Sequence, residues 1–450
     1  MKITRSGCVI PADDNFKKEL TVRPIVNTEF GVQPPSFKVF KTKGDTMCVP
    51  QYWAREKLIT GPVEDNRPPP KRLGESVIFK GKLRQKTHQI EAHQKAIDQG
   101  HGILSLPCGY GKTTVALAVA CSLGYRTMII VHKEFLANQW KDRIEQFCPG
   151  ATIGIVQQNK IQTDCDFVIA MLQSLSMKEY SFDDFDSIGT VIVDEAHHIC
   201  AKVFSQSLFK LCPRHVYGLS ATPVRKDGLT QVLHWFMGPT FFAVERQDQG
   251  QVEVHTHWYS CPMYRQPPPV NRAGKISLVQ MITDIVEHSP RTEIIVKLIK
   301  KCLKQKRKVL VLSERRNHCE ELISNFSPEV GGLYMGGISR EELDKTAEKQ
   351  LIVGTYTLAH EGLDIPTLDT LIMATPKSDI KQAVGRILRE TPGKKNNPVI
   401  HDICDTWSMF IAMFHKRRKV YREGGFMVYG EQEAAEPESV KLNGFSFVHI

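Results

Sequence analysis

The sequence has no apolar run that approaches the roughly 20 residues of a membrane-spanning helix. Its beginning, MKITRSGCVIPADD, also lacks the apolar core that a secretion signal needs. We therefore expect an intracellular protein that is neither secreted nor held in a membrane.

Paired cysteines are missing as well. The chain has 12 cysteines, all scattered singly, and no two of them form a CxxC pair. Zinc ribbons and redox dithiols carry such pairs, so the spacing argues against both classes. We expect reduced thiols, most of them buried. The sequence also contains no internal repeat and no low-complexity segment.

The chain has 450 residues, of which 41% are apolar and 24% charged, as is ordinary for a globular protein. This length suffices for two or three domains with substantial cores. Lysine and arginine outnumber aspartate and glutamate by 59 to 49, which gives a net charge of +10. Because neutralised phosphates release counterions, this excess favours a polyanionic partner, although charge alone is weak support.

Residues 1–80 differ in pattern from the rest of the chain. They contain short β-like runs, Phe37–Phe40 and Val77–Phe79, which prolines and glycines interrupt. The run Pro68–Pro70 has the composition of a stiff linker. We predict a small β-rich accessory domain over residues 1–80, here called the N-terminal module.

Further along, apolar β-rich runs alternate with helical stretches, first between Leu83 and about Phe242. The pattern stops around Pro267–Pro269 and then resumes. Buried strands that alternate with helices indicate a parallel sheet with helices on both faces. The predicted strands are Ile103–Leu106, Thr127–Val131, Phe167–Ala170, Thr190–Val193, Lys308–Leu312, Leu351–Val353, Thr370–Met373 and Pro398–Ile400.

The fold class that follows is α/β, with two tandem domains that have parallel sheets. We predict the first domain at residues 81–245 and the second at residues 246–410. Residues 411–450 are expected to form a C-terminal tail.

The strongest motif is SLPCGYGKTT at Ser105–Thr114, between a predicted strand and a predicted helix. Gly109 and Gly111 let the backbone wrap phosphates, with amide N–H groups and the helix N-terminus facing the anion. We expect Lys112 to reach the β- and γ-phosphates and the Thr113 hydroxyl to bind Mg²⁺. An ordinary glycine-containing turn is the alternative, but it leaves Gly-Lys-Thr at the helix start unexplained.

The second motif, VIVDEAHH, ends a predicted buried strand. A carboxylate there is costly unless it has a cationic partner. We expect Asp194 to hold Mg²⁺ through water and Glu195 to polarise the attacking water as general base. An acidic helix cap is the alternative. His197 and His198 lack cysteine or carboxylate partners at ligand spacing, so no zinc site is expected.

The third motif, QAVGRILR, begins at Gln382, far downstream. Arg386 and Arg389 lie one helical turn apart and can point the same way. Facing a γ-phosphate across a cleft, they would act as arginine fingers, and Gln382 would order the attacking water. A solvated basic helix is the alternative, but the phosphate-binding loop upstream favours the fingers.

Read in order, these motifs resemble those of superfamily-2 DNA and RNA helicases, in the XPB-like branch with the UvsW-like branch-migration helicases of phages and large DNA viruses. The resemblance covers about Leu83 to Arg389. It implies two RecA-like domains with ATP in the cleft between them. The other matching segments are Leu83–Gln89, Ile130–Trp140, Ala170–Leu175, Gly218–Arg225, Lys308–Glu321 and Val353–Pro366.

The resemblance also implies site residues. The catalytic residues would be Lys112, Asp194, Glu195, Gln382, Arg386 and Arg389. The ATP contacts would be Arg84, Gln89, Pro107, Cys108, Gly109, Tyr110, Gly111, Lys112, Thr113, Thr114, Gly362 and Asp364, with Mg²⁺ at Thr113 and Asp194. The nucleic-acid contacts would be His132, Lys133, Gln173, Ser174, Arg315, Thr355 and Thr357. The residues that couple the two sites would be His197, Ser220 and Thr222.

The activity implied is ATP-driven, 3′→5′ movement along forked or branched DNA in replication, recombination or repair. We expect a monomer with ATP and Mg²⁺ as cofactors, located in the host cytoplasm if the chain is viral. A transcription-linked ATPase or an RNA helicase is the first alternative. A nuclease subunit is the second, although the chain lacks an Asp…Glu-x-Lys cluster outside the motifs. A P-loop kinase of small molecules is the third.

Two regions outside the motifs are candidate nucleic-acid contacts. Basic and aromatic residues of the N-terminal module would contact a duplex or junction, and a basic run in the tail would contact backbone phosphates. In the N-terminal module they are Lys38, Lys41, Lys43, Tyr52, Trp53, Arg55, Lys71 and Arg72. In the tail they are Lys416–Lys419. A structural cap with Trp53 in its core, and a solvated helix face in the tail, are the alternatives.

Overall fold

The computed structural model describes residues 1–25, 34–58, 63–107, 109–196, 201–221, 224–225, 227–244, 252–357, 363, 365–388, 394 and 396–430. The chain divides into two compact units, Met1–Arg246 and Gln247–Ile450. In the described ranges, no helix is both long enough and apolar enough to cross a membrane. The ten cysteines that the structure describes are free thiols, all buried or half-buried.

The N-terminal module builds a five-stranded sheet with the strand order β5-β6-β2-β1-β7. Only the edge pair β1–β7 is parallel. A separate antiparallel pair, β3–β4, lies beside it. The elements are β1 (Lys2–Thr4), β2 (Gly7–Pro11), α1 (Asp14–Glu19), β3 (Thr21–Val22), β4 (Phe37–Lys38), β5 (Lys41–Lys43), β6 (Thr46–Val49), α2 (Gln51–Leu58) and β7 (Glu64–Asp65).

The aromatic residues of α2 belong to the core. Trp53 is fully buried, packs edge-on against Phe16 at 5.1 Å between ring centroids, and donates its indole N–H to Glu19. Tyr52 is also buried and stacks on His101 at the start of the neighbouring parallel sheet. The prediction that these two rings meet nucleic acid is therefore wrong, because burying a large apolar ring is worth more than leaving it in water.

The remainder of the first unit is an eight-stranded sheet with the order β11-β10-β12-β9-β13-β14-β8-β15. All neighbours are parallel except β10 and β11. The elements are α3 (Gln89–Gln99), β8 (His101–Ser105), α4 (Lys112–Leu123), β9 (Thr127–Val131), α5 (Glu134–Phe147), β10 (Ile153–Gln157), β11 (Lys160–Ile161), β12 (Phe167–Met171), α6 (Leu172–Met177), β13 (Thr190–Val193), α7 (Ala201–Leu208), β14 (His215–Ser220), α8 (Thr230–Met237) and β15 (Thr240–Ala243).

Helices cover both faces of this sheet, as predicted. The apolar residues of α3, α4 and α5 pack on one face. Those of α8 and of the N-terminal module share one apolar cluster with the other face. Because the strands are parallel, the loops that follow β8, β9, β12, β13 and β14 emerge at one edge.

The predicted strand Val77–Phe79 does not form. The last part of the N-terminal module, after β7, is irregular, and in it Val77 is buried and Phe79 packs against Phe147. Backbone hydrogen bonds fix this segment, since Lys71 donates to Ser187 O and accepts from the Arg126 N–H. Val77 and Phe79 therefore pack by their side chains without a partner strand, while Ile78 between them is exposed.

The second unit contains a seven-stranded sheet with the order β18-β19-β17-β20-β21-β16-β22, in which every pair is parallel. The elements are β16 (Glu253–Tyr259), α9 (Leu278–Val286), α10 (Ser289–Lys304), β17 (Val309–Ser313), α11 (Arg316–Ile323), β18 (Gly331–Tyr334), α12 (Arg340–Glu348), β19 (Leu351–Thr355), β20 (Thr370–Met373), α13 (Lys381–Ile387), β21 (Val399–Asp405), α14 (Met409–Glu423) and β22 (Met427–Tyr429). The two parallel sheets confirm the predicted α/β fold class.

Residues 411–430 of the predicted tail belong to this unit, because β22 joins the sheet edge and α14 buries Phe410 and Phe414. The predicted phosphate contact at Arg417 is wrong. Its guanidinium is 1% exposed and donates to Asp402 at 2.8 Å. Burial of a guanidinium is tolerated here because a carboxylate partners it.

Candidate nucleotide and nucleic-acid site

The phosphate-binding loop connects the end of β8 to α4, which starts at Lys112. Gly109 and Gly111 have φ angles of 85° and 80°, in the left-handed region that favours glycine. A Cβ on Gly111 would lie 2.4 Å from the side-chain nitrogen of Gln89. No described side chain caps the helix start, so the first-turn amides can face an anion.

Gln89 ties the segment before α3 to this loop. Its Oε1 accepts the Arg84 N–H at 2.9 Å, and its Nε2 donates to Tyr110 O at 2.8 Å. The side chain is 1% exposed, while the Arg84 side chain lies exposed beside it. The Gln89 side chain therefore fixes the shape of the loop by bonding to backbone groups. This is separate from the contact with adenine that the resemblance implies.

The polar side chains of the loop and helix start are half-buried. Lys112 donates its ammonium to Leu106 O at 3.2 Å, across the turn of the loop. Thr113 and Thr114 follow it in the first turn of α4, and Pro107 precedes the turn. The predicted contact Cys108 lies outside the described residues. Helix-start amides that no described side chain caps, beside the Lys112 ammonium, suit a triphosphate.

The carboxyl end of β13 carries Asp194 and Glu195, and Asp194 is buried. Burial raises the pKa of Asp194 to about 6, and the charge of Glu195 acts in the same direction. Glu195 has a φ of 45°, unusual for a side chain other than glycine, and its N–H bonds to Asp194 Oδ1 at 3.0 Å. A buried carboxylate with a raised pKa is short of positive charge, so the residues fit a Mg²⁺ ion here.

A second residue, Trp140, holds the Asp194 carboxylate. Its indole Nε1–H donates to Asp194 Oδ2 at 2.8 Å in a buried contact. The sequence did not single out Trp140 as a site residue, because Leu136, Trp140 and Ile144 follow one another at helical spacing and indicate a core face of α5. The signal that could have found it is the indole N–H itself, which needs an acceptor when it is buried.

Ser220 lies next to the phosphate-binding loop. It ends β14, between β8 and β13, and its carbonyl accepts the Leu106 N–H at 3.1 Å. This backbone contact links the loop that follows β14 to the loop that binds phosphates, as a coupling residue requires. Its predicted partners His197 and Thr222 lie outside the described residues.

The nucleic-acid contacts predicted in the first unit follow β9 and β12 at the same edge. His132 and Lys133 are half-buried, and Gln173 is exposed. Ser174 is different, because its hydroxyl oxygen is buried and accepts the Gln158 N–H at 2.9 Å. In this structure Ser174 supports a loop, so an exposed strand contact is available to Gln173 rather than to Ser174.

In the second unit the corresponding edge carries Thr355 and Thr357, with Tyr356 buried between them. The end of β19 pairs with the end of β17, where Arg315 follows. The Arg315 guanidinium donates to Val279 O at 2.7 Å. Arg315 is therefore half-buried against α9, which it fixes in place.

The third motif forms α13. Gln382 and Arg386 lie four residues apart on this helix, which places them on one face. Gln382 is buried, and Arg386 is half-buried near the phenol of Tyr334. The predicted site residues Arg389, Gly362 and Asp364 lie outside the described residues.

The basic candidates of the N-terminal module separate into two groups. Lys38, Lys41 and Lys43 are exposed. The ammonium groups of Lys38 and Lys41 lie over the rings of Phe40 and Phe209. Lys71, also exposed, pairs with Asp164 at 3.3 Å, and the other two cations lie over tyrosine rings. Those two are Arg55, over Tyr52, and Arg72, over Tyr125. Of these six cations only Arg55 is half-buried, so the other five remain candidate contacts.

Two family models match the chain. The model described as "Type III restriction enzyme, res subunit" matches residues 82–225, and the model described as "Helicase conserved C-terminal domain" matches residues 291–391. The first range contains the phosphate-binding loop, the Asp194 carboxylate and Ser220. The second contains β17, β19 and α13.

Viral proteins match almost the whole chain. L396 of Acanthamoeba polyphaga mimivirus, whose name describes an ATP-dependent RNA helicase, is 33% identical over 90% of this chain and 81% of its own length. The helicase 161L of Invertebrate iridescent virus 6 is 27% identical over 92% of this chain and 97% of its own length. Among solved structures, an HsdR-type subunit fragment from Vibrio vulnificus YJ016 has the same fold, with a TM-score of 0.53, 18% identity, and coverage of 72% of this chain and 65% of that one.

The fold, the site and these similarities define the class: the chain belongs to the superfamily-2 helicases, which are nucleic-acid-dependent ATPases. Within that class it is a helicase of the viral and phage type.

Proposed function

We propose that this helicase acts on DNA, moving 3′→5′ and unwinding or branch-migrating forked or junction DNA in replication, recombination or repair. The observation that carries the proposal is the shared sheet edge in the first unit. There the phosphate-binding loop, the Asp194–Glu195 pair and Ser220 lie beside loops that expose Gln173. ATP chemistry and strand contacts on one edge suit a motor.

Hydrolysis needs residues from both units. Lys112 and the first-turn amides of α4 would bind the β- and γ-phosphates, and Thr113 with Asp194 would hold Mg²⁺, which neutralises phosphate charge. Glu195 would accept the proton of the attacking water. From the second unit, Arg386 and Arg389 would stabilise charge on the transferred phosphoryl group, and Gln382 would order the water.

ATP binding and phosphate release would alternately close and open the two units. Gln173 in the first unit and Thr355 with Thr357 in the second would hold the strand at separate points, so each cycle shifts one contact along the backbone. Amide and hydroxyl groups suit this task because they bind phosphates without reading sequence. The exposed lysines 38, 41 and 43 would hold the duplex arm.

An RNA duplex is the second candidate substrate, because the name of L396 describes an RNA helicase. The same motor chemistry also suits a transcription-linked ATPase that releases transcripts or opens promoters. The two substrate classes differ in the 2′-hydroxyl, which hydroxyl and amide side chains along the strand path can recognise.

The test is an unwinding panel of forked DNA, four-way DNA junctions and RNA duplexes, with Lys112→Ala as the inactive control. We expect ATP-dependent opening of the forked and four-way DNA at least tenfold faster than that of the RNA duplex. Opening of RNA alone would overturn the DNA assignment. Lys112→Ala should keep DNA binding and lose hydrolysis.

A further inference from the structure

Exposed apolar side chains of the second unit are concentrated in one short segment. Val270, Ile276 and Val279 are 61%, 40% and 64% exposed, and they make up three of the six large apolar residues exposed in the described part of this unit. The other three, Ile294, Met427 and Tyr429, lie on two separate elements. Three exposed apolar side chains within ten residues make this segment a candidate contact site.

The same segment is purely cationic. From Val254 to Thr283 the sequence contains no aspartate and no glutamate. Arg265, Arg272 and Lys275 are all exposed there, and none forms an ion pair with a described residue. A surface that combines apolar side chains with unopposed positive charge is complementary to the stacked bases and phosphates of nucleic acid.

The segment is a preformed hairpin, Pro269–Ser277. An antiparallel bridge joins Val270 to Ile276, and the Ser277 N–H donates to Pro269 O. At the tip, the Asn271 side chain accepts the backbone N–H groups of Ala273 and Lys275. An asparagine that satisfies two tip amides keeps the turn in one conformation, so the hairpin holds its exposed side chains in place before any ligand binds.

The base of the hairpin is anchored in the core. Tyr264 stacks on Trp407 with 5.3 Å between ring centroids and donates its hydroxyl to Asp405 at 2.7 Å. Asp405 also forms a fully buried, two-pronged ion pair with Arg291. The Trp407 indole donates to Gln266 O, next to the hairpin. The segment that precedes the hairpin is therefore fixed to buried side chains of the second unit.

The hairpin also lies at the functional edge of the sheet. It comes after the carboxyl end of β16. In the sheet, β16 lies three strand spacings, or about 14 Å, from β17. It leads directly into α9, where Val279 O accepts the Arg315 guanidinium. Arg315, a predicted strand contact, is therefore bonded directly to the helix into which the hairpin leads.

We propose that the Pro269–Ser277 hairpin contacts the end of the duplex and separates its strands, an inference that rests on the proposed unwinding function. Val270 and Ile276 pack against the last base pair, in the way that apolar wedges unstack base steps. Arg272 and Lys275 bind the phosphates of the parting strands. The occupant is a nucleic-acid fork and not a protein partner.

The experiment compares two matched double variants of the full chain. Lys275→Ala with Ile276→Ser removes one cation and one exposed aliphatic side chain from the hairpin. Ile294→Ser with Lys297→Ala removes the same groups from the exposed face of α10. Unwinding of a forked duplex, ATP hydrolysis on single strands and thermal stability are measured for both, on the nucleic acid that the wild type unwinds best.

We expect the hairpin variant to open at least tenfold fewer base pairs per ATP hydrolysed, and the α10 variant to stay within twofold of wild type. A 2-aminopurine at the first paired position should brighten when the wild type binds and brighten less with the hairpin variant. If the hairpin variant opened as many base pairs per ATP as wild type, or if both variants lost this ratio equally, the proposal that the hairpin separates strands would be overturned. Absence of strand-stimulated hydrolysis in the wild type would instead refute the proposed function.

Discussion

The indole N–H of Trp140 lies 2.8 Å from Oδ2 of Asp194 and donates to it. Trp140 projects from α5, whereas Asp194 ends β13, so this bond connects the helix after His132 and Lys133 to the proposed metal ligand. A single side chain therefore links the carboxylate to the helix that begins next to the predicted strand contacts His132 and Lys133. The bond also favours the ionised form of Asp194, which burial disfavours.

Trp140→Phe should weaken Mg²⁺ use while leaving the core packed. The variant keeps most of the ring but removes the bond that lowers the pKa of Asp194, so that pKa should rise above about 6. We expect the acid limb of the ATPase pH profile to move to higher pH and the Mg²⁺ requirement to increase several-fold. Trp235→Phe, which alters a buried tryptophan on α8, is the control. Identical Mg²⁺ titrations for both variants would contradict this role.

Gly111→Ala should lower ATP affinity for two separable reasons. A Cβ would meet Gln89 Nε2 at 2.4 Å, and the φ of 80° costs a non-glycine residue about 1–2 kcal/mol. We expect at least a tenfold weaker binding of a fluorescent ATP analogue. Gln89→Ala should weaken binding by itself, because it removes the bonds that hold the loop, but it also removes the atom that a Cβ would meet. The double variant should therefore lose less affinity than the sum of the two single losses. Strict additivity of the two substitutions would argue against the contact.

Arg417→Met should destabilise the second unit. The guanidinium and the Asp402 carboxylate are both about 1% exposed, so removing one leaves the other buried without its counter-charge. The expected loss is about 3–5 kcal/mol in the free energy of unfolding, measured by denaturant titration. Lys416→Ala, at an exposed neighbouring position, is the control. Equal stability of the two variants would contradict the buried ion pair and would indicate that Arg417 is exposed, as the sequence predicted.

His318 should make folding stability depend on pH. Burial lowers the pKa of His318 to about 3, from an ordinary value near 6.5. Below pH 6.5 the unfolded chain therefore takes up a proton that the folded chain does not, and stability falls as the pH falls towards 3. At pH 5.5 this loss is about 1.4 kcal/mol relative to pH 7.5.

The variant His318→Gln has no imidazole at this position, so its free energy of unfolding should lack this pH-dependent loss. The difference in free energy of unfolding between wild type and variant should therefore shrink by the same amount from pH 7.5 to pH 5.5. Denaturant titrations at the two pH values measure it, with exposed His415→Gln as the matched control. A constant difference would show that His318 is not buried as a neutral imidazole.

The sequence predicts the parallel sheets well, because their strands are continuous apolar runs such as Thr127–Val131, which is fully buried. The same rule fails for Val77–Phe79, where the apolar side chains pack but the backbone finds no partner strand. The sequence also mispredicts Arg417. A basic run is typical of an exposed surface, and only the fold shows that Asp402 lies opposite this guanidinium.

For the site, the sequence predicts the residues whose type is dictated by phosphate chemistry, such as Gly111 and Lys112. It misses Trp140, which acts on Asp194 across a distance of 54 residues. Such a contact depends on which helix covers which strand, and that is set by packing of the whole sheet.

The central claim is that guanidinium groups of the second unit complete ATP hydrolysis in the first. Strand-stimulated ATP turnover in Arg386→Ala and Arg389→Ala, with binding of a fluorescent ATP analogue measured alongside, tests it most directly. We predict a loss in kcat of roughly 10³–10⁵-fold with ATP affinity within a few-fold of wild type. Wild-type turnover in both variants would contradict the claim.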